Sequence, residues 1–331
     1  MAGTTVTLVR LIKNWTSPDL MRQTPGGSGV WDGIRFTEEP VEACDYVVVL
    51  NYTPEPVTVS CPPGHVWALM QEPPTHTFAD LHRAGAVFSR VYTTDARLRG
   101  RRYVHSQPAL PWHVGRTYDE LCALPIPDKP RRLSWITSST SQLEGHRARL
   151  RFLERLRGEV DFDLYGRGFN PIADKWDGLA PYRYSLAVEN FRGPYYWTEK
   201  LADCFLAWTM PIYCGCTRID AYFPAGAMVH IDLDDPHAVE RIREVAASNL
   251  WRERQGAIAE ARELVLNRYQ LFPFLAGEIR AQQAREGAHS PCRERVVISN
   301  RRRAADEAAV QPRRLVRGVR VRLARWWAGR G

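Results

Sequence analysis

Short apolar runs at Thr5–Ile12, Tyr46–Leu50, His65–Met70 and Ala86–Tyr92 are rich in β-branched and aromatic residues and are separated by turn-forming segments. Each has the length and composition of a strand. Thr77–Ala84 carries apolar residues at helical spacing behind Thr77, a residue type suited to cap a helix start. This strand–helix alternation predicts a parallel sheet with ligand groups at the carboxyl ends of its strands, and Glu72 directly follows one of them. Leu121–Arg132, reading LCALPIPDKPRR, breaks both periodicities with its prolines and is the expected linker. Beyond it, strand patterns at Leu133–Thr137, Asp161–Tyr165, Tyr184–Val188, Met210–Tyr213 and Met228–Ile231 alternate with helical patterns at Leu143–Arg157 and Thr198–Trp208, and Asp235–Arg268 is mainly helical. The expected organisation is an N-terminal domain over residues 1–125, a second domain over 126–275 and a basic, helical or disordered tail over 276–331.

Charge sharpens this division. The formal net charge is +8, and ten Arg against Asp306 and Glu307 in residues 301–331 account for all of it. Nucleic-acid binders spread basic charge over a folded face and interleave stacking aromatics, so a neutral body argues against a nucleic-acid partner. At helical period, Leu315, Val316, Val319, Leu323, Trp326 and Trp327 share a sector of about 120° that leaves out Arg313, Arg314, Arg317, Arg320, Arg322 and Arg325. Residues 313–327 are therefore expected to bind an anionic membrane surface, with a solubilising arm as the alternative. No apolar run has membrane-spanning length, the N-terminus lacks the layout of a signal peptide, and the scattered cysteines read as reduced thiols. The expected location is cytoplasmic, peripherally associated with the inner face of the membrane.

The densest chemistry lies between Tyr182 and Asp232. Glu189-Asn190 closes a strand, an aromatic loop follows, and Thr198-Glu199-Lys200 opens a helix. A helix start carries unpaired N–H groups and partial positive charge, so a lysine there makes a receptor for a diphosphate. Glu189 reads equally as a buried structural carboxylate or as a ligand. Asp232-Leu233-Asp234-Asp235 is read as a strand-to-helix turn rather than a metal site. P-loop, zincin and nucleophile-elbow motifs do not occur.

The order Glu189-Asn190, Pro194, Tyr196, Thr198-Glu199-Lys200 and Pro211-Ile212-Tyr213-Cys214-Gly215, without insertion, resembles glycosyltransferase family 10, the α1,3/4-fucosyltransferases. Val188 stands where that family usually has Phe. Ser134–Gly168 is similar to the family's strand, Arg-bearing helix and following strand, which aligns Arg149 with its phosphate-binding arginine. Met70-Gln71-Glu72-Pro73-Pro74 is similar to the Glu-Ser-Pro segment of the acceptor domain.

The resemblance implies an α/β, GT-B-like fold of two Rossmann-like domains facing across a cleft, plus the basic C-terminal tail. It implies an inverting transfer of fucose from GDP-fucose to a hydroxyl of a saccharide or lipid-linked oligosaccharide acceptor, as in polysaccharide biosynthesis or protein glycosylation. Such a transfer needs a base for the acceptor hydroxyl, for which Glu72 is the candidate, and positive charge at the departing diphosphate, from Arg149, Lys200 and the helix start at Thr198. By the same resemblance Glu199 would bond the donor ribose, and Asn190 and Tyr196 would line the nucleotide-sugar pocket, with Glu189 beside them. No metal ligand and no required cofactor is implied, a divalent cation being at most stimulatory. The alternatives are a different nucleotide-sugar donor, or a non-enzymatic nucleic-acid- or membrane-binding protein acting through its tail.

Overall fold

The computed structural model describes residues 6–287 and 291–299. The amphipathic segment 313–327 lies outside them. The first half of the chain supplies β1 (Thr7–Lys13), β2 (Val30–Trp31), β3 (Ile34–Thr37), β4 (Tyr46–Leu50), β5 (Val57–Cys61), β6 (Val66–Leu69), β7 (Arg90–Thr93) and β8 (Tyr103–His105). All but β5 join a sheet of order β2-β3-β1-β4-β6-β7-β8, parallel except where β2 meets β3. Every residue of β4 is buried. A continuous apolar run is what a parallel strand covered on both faces requires.

One cover comes from the far end of the chain. Helix α8 (Leu271–Glu286) lays Leu271, Phe272, Leu275 and Ile279 against Val9, Leu11, Phe36, Tyr46 and Trp67; it follows α1 (Ala79–Arg83), α2 (Tyr118–Ala123), α3 (Glu144–Leu156), α4 (Glu199–Leu206), α5 (Ala238–Ala247), α6 (Leu250–Glu253) and α7 (Gln255–Leu264) in the chain. The other face packs Ile12, Val47 and Val49 against Val59, Phe78, Leu81 and Ile298.

The expected boundary at residues 275 and 276 therefore falls inside α8. Pro273 masks this helix in the sequence, yet in the first turn, where an N–H would go unpaired anyway, it does no harm. Glu294–Ile298, also assigned to the tail, pairs antiparallel with β5. Two smaller corrections are local. Thr77 does not cap α1, which begins at Ala79 with no side-chain cap. The first residues of the expected linker are helical because Thr117 and Glu120 form a reciprocal capping box that starts α2.

The second half builds a wholly parallel sheet from β9 (Arg131–Ile136), β10 (Asp163–Tyr165), β11 (Tyr182–Val188), β12 (Met210–Cys214) and β13 (Val229–His230), in the order β10-β9-β11-β12-β13. Phe152 and Leu156 of α3 and Leu201 and Phe205 of α4 pack with Trp135, Leu186 and Ile212 of the sheet in one core.

Polar and aromatic contacts join the halves. Asp203 Oδ1 accepts from the main-chain N–H of His113 at 2.8 Å, and Gln107 donates to the carbonyl of Tyr269 at 2.8 Å. The rings of His105 and Tyr195 stack at 5.2 Å. His105 ends β8 and Tyr195 follows β11, so the carboxyl ends of the two sheets meet at a common cleft.

Candidate functional site

Glu189 stands one residue beyond β11 and turns back onto the start of α4. Its Oε1 accepts from the Thr198 N–H at 2.7 Å and its Oε2 from the Thr198 hydroxyl at 2.8 Å. Burial raises its pKa, against the pull of Lys200 and the two Thr198 bonds. Gly215 at the end of β12 makes room for it: a Cβ there would lie 2.4 Å from Glu189 Cγ. The Thr198 hydroxyl in turn accepts from the Lys200 N–H at 3.3 Å. The helix start is thus largely capped by the protein itself, and fixed positive charge falls to side chains.

Those side chains form a chain of alternating charge. Lys200 Nζ lies 3.3 Å from Glu199 Oε1 and 3.6 Å from Glu189 Oε2; Lys175 Nζ lies 3.4 Å from Glu199 Oε1 and 3.0 Å from Asp203 Oδ2. Burial works against the Glu199 charge, but Lys200 and Lys175 outweigh it and hold this carboxyl well below the usual range. Lys200, placed against the helix dipole, therefore finds its counter-charges within the protein.

Arg149 reaches the same region from α3. Only 5% of it is exposed, and its Nε has no partner in the protein. Burial lowers its pKa while Glu189 and Glu199 oppose the shift. His146, one turn earlier, is driven down to about 4 by burial and then by Arg149, Lys200 and Arg147, a measure of how much positive charge gathers here. Gly145 lets α3 approach the loop, since a Cβ there would lie 1.8 Å from the carbonyl oxygen of Asn190. The Asn190 Oδ1 is buried without a partner.

The aromatic loop separates its rings. Tyr195 stacks on His105, Tyr196 meets Phe191 edge-on at 5.8 Å, and Trp197 enters a cluster with Phe223 and Tyr269. Burial raises the Tyr196 pKa well above its ordinary value, with added contributions from Glu189, Glu72 and Glu199. The charge of Glu72, which lies beyond β6 in the first half, is therefore felt at Tyr196 in the second. Asn51 Oδ1 accepts from the Gln71 N–H at 2.8 Å and the Glu72 N–H at 3.3 Å, fixing the Glu72 backbone. Asp232 accepts from Arg192 at 2.9 Å and from the Asp234 N–H at 3.1 Å, the geometry of a turn.

Residues 126–247 match the model of glycosyltransferase family 10 (fucosyltransferase), C-terminal part. They are a family 10 domain. The chain is similar to alpha-(1,3)-fucosyltransferase 4 of Rattus norvegicus, 29% identical over 259 residues that cover 72% of this chain and 56% of the relative. It is also similar to alpha-(1,3)-fucosyltransferase 4 of Mus musculus, 30% identical over 213 residues covering 60% and 46%. The chain thus spans about half the length of the curated relatives it matches. Among solved structures, a glycosyltransferase from Rickettsia africae ESF-5 superposes with a TM-score of 0.50 at 9% identity, over 86% of this chain and 100% of that one. The fold is the two-sheet α/β GT-B arrangement.

Within the family 10 domain, two functional-region residues escaped the sequence reading. Lys175 opens a single 3-10 turn, Lys175–Gly178, capped by Asp174, and nothing in its sequence neighbourhood signals a role. Asp203 does leave a trace: an acid four residues after Glu199, among the apolar Leu201, Ala202, Cys204 and Phe205, requires a buried partner. In the first half His82 and Asn51, which hold Glu72, also went unread, because their contacts are wholly tertiary.

Proposed function

We propose that the protein is an inverting glycosyltransferase that moves fucose from GDP-fucose to a hydroxyl of a saccharide acceptor. The observation that supports this reading is that Arg149, buried with an unpartnered Nε, and the Lys200 ammonium flank the turn whose Tyr196 feels the charge of Glu72 from the opposite sheet. Glu72 would take the acceptor hydroxyl proton as that oxygen attacks the anomeric carbon from the face opposite the leaving group. The anomeric C–O bond breaks and its electron pair leaves with GDP. Arg149 and Lys200 would stabilise the charge gathering on the diphosphate. Glu199, kept ionised by Lys200 and Lys175, is ready to accept a bond from a ribose hydroxyl, with Asn190 and Tyr196 lining the donor pocket and Glu189 and Thr198 fixing the turn between them.

The names of the relatives support fucose as the sugar. A donor panel of GDP-fucose, GDP-mannose and UDP-sugars, read as nucleotide release with and without saccharide acceptors, tests the reading; absence of GDP-fucose turnover across acceptors would overturn it. With its cations supplied by side chains, turnover should persist in excess chelator, whereas complete and reversible loss would point to Asp232 and Asp234.

The proposal extends to the membrane. Among the described residues no helix is long and apolar enough to cross a bilayer. Segment 313–327 would lie on an anionic leaflet at the cytoplasmic face and bring the cleft to lipid-linked oligosaccharide acceptors.

A further inference from the structure

At the carboxyl end of the first sheet, a cavity of about 520 Å³ opens beside β1, lined by Arg10, Lys13, Trp15, Glu38, Glu55 and Val57 among others. Of its two cations and two carboxylates, only Lys13 and Glu38 form an ion pair among the described residues. Lys13 is neutralised by Glu38 at 2.6 Å and sits 4.6 Å from the centre of the Trp15 ring. Arg10 is only 9% exposed, its Nε has no hydrogen-bond partner, and among the described residues it forms no ion pair. An Nε taken out of water without a partner is costly unless an anion meets it, and the planar fork of donors that opens into the cavity suits a carboxylate, phosphate or sulfate.

The cavity and Glu72 lie at the same edge of the sheet. Lys13 of β1 pairs with Leu50 of β4, and Leu50 with Leu69 of β6, just before Glu72. Two strand spacings, about 10 Å, separate Lys13 from Leu69; Arg10 lies three residues back along β1 and Glu72 three residues beyond Leu69, so an oligosaccharide of several units spans the two. Resting on the acceptor role given above to the first sheet, we propose that this cavity is an acceptor subsite that receives an anionic group of the saccharide against Arg10. Trp15 supplies an aromatic wall and Lys13–Glu38 a polar rim.

The test is a glycan array of matched oligosaccharides, neutral or bearing a carboxylate, phosphate or sulfate, probed with the full-length protein and its Arg10→Met and Arg10→Lys variants. Because all three carry the same basic tail, only a difference between them reports on the cavity. The wild type should prefer one anionic series over its neutral counterparts by about tenfold or more, Arg10→Met should lose that preference, and Arg10→Lys should keep part of it. The series retained identifies the anion. Equal binding of neutral and anionic glycans by the wild type, or an unchanged preference in Arg10→Met, would overturn the proposal. Thermal melting checks that the variants fold; if Arg10→Met does not, Trp15→Ala takes its place, and unaltered binding of the preferred series would count against the subsite. GDP affinity, measured in parallel, tests the donor reading separately, since the array needs no donor.

Discussion

His82 Nε2 donates to the main-chain carbonyl of Glu72 at 2.8 Å, while its Nδ1 accepts from the Thr93 hydroxyl at 2.7 Å. A carbonyl can only accept, so the proton must sit on Nε2, and the neutral tautomer is fixed by its two partners. Together with Asn51, the imidazole holds both backbone ends of Glu72. His82→Leu should lower transfer by about tenfold or more with GDP affinity unchanged, while His82→Gln, which retains a donor, should recover part of the loss. Equal turnover in wild type and His82→Leu would remove His82 as a positioning residue.

The same histidine predicts a pH dependence of stability. Burial first of all drives its pKa down to about 4, whereas an unfolded histidine titrates near 6.5. Between these values the unfolded chain binds more protons than the folded one, so stability rises with pH across that window and falls as pH drops through it. The full contribution is on the order of 3 kcal/mol, lost by about pH 4. Melting temperatures of wild type and His82→Gln between pH 4 and 7 should diverge, with the variant the flatter of the two.

Lys200→Ala and Arg149→Ala should each reduce turnover about a hundredfold or more, by removing preorganised charge from the departing diphosphate. Near-normal rates in the Lys200 variant would dismiss the proposed diphosphate site.

Glu72→Gln preserves shape but removes the proton acceptor, so GDP binding measured by calorimetry should be unchanged and transfer lost. Were transfer to survive with the same pH profile, another carboxylate would be the base, Asp95 or Glu120 being the first to examine.

Lys175→Met leaves Glu199 and the buried Asp203 without their shared cation. Removing one partner of a buried pair costs about 3–5 kcal/mol, so the melting temperature should fall and the donor KM should rise. Lys175→Met with Asp203→Asn should recover stability without recovering the KM, which separates support of the helix from orientation of Glu199.

The proposed membrane association is tested by flotation with anionic liposomes. Full-length protein should float and a chain ending at Asn300 should not, with donor hydrolysis equal in both. Equal flotation would dispose of the tail as the anchor.

What the sequence determined is what local chemistry and spacing encode. The apolar runs of β4 and β11 announced buried parallel strands, and Thr198-Glu199-Lys200 announced a helix start, because periodicity and capping act within a few residues. The order from Glu189 to Gly215 could be read for the same reason: strand, turn and helix follow one another without interruption. Only tertiary structure decided that α8 crosses back to cover the first sheet, since its apolar face has no counterpart nearby in the chain. Only it brought Glu72 within electrostatic reach of Tyr196, set Lys175 between Glu199 and Asp203, and left Arg10 and Arg149 buried with unpartnered Nε groups. These depend on distances between residues tens to more than a hundred positions apart, which the packing of two sheets fixes and no local pattern records.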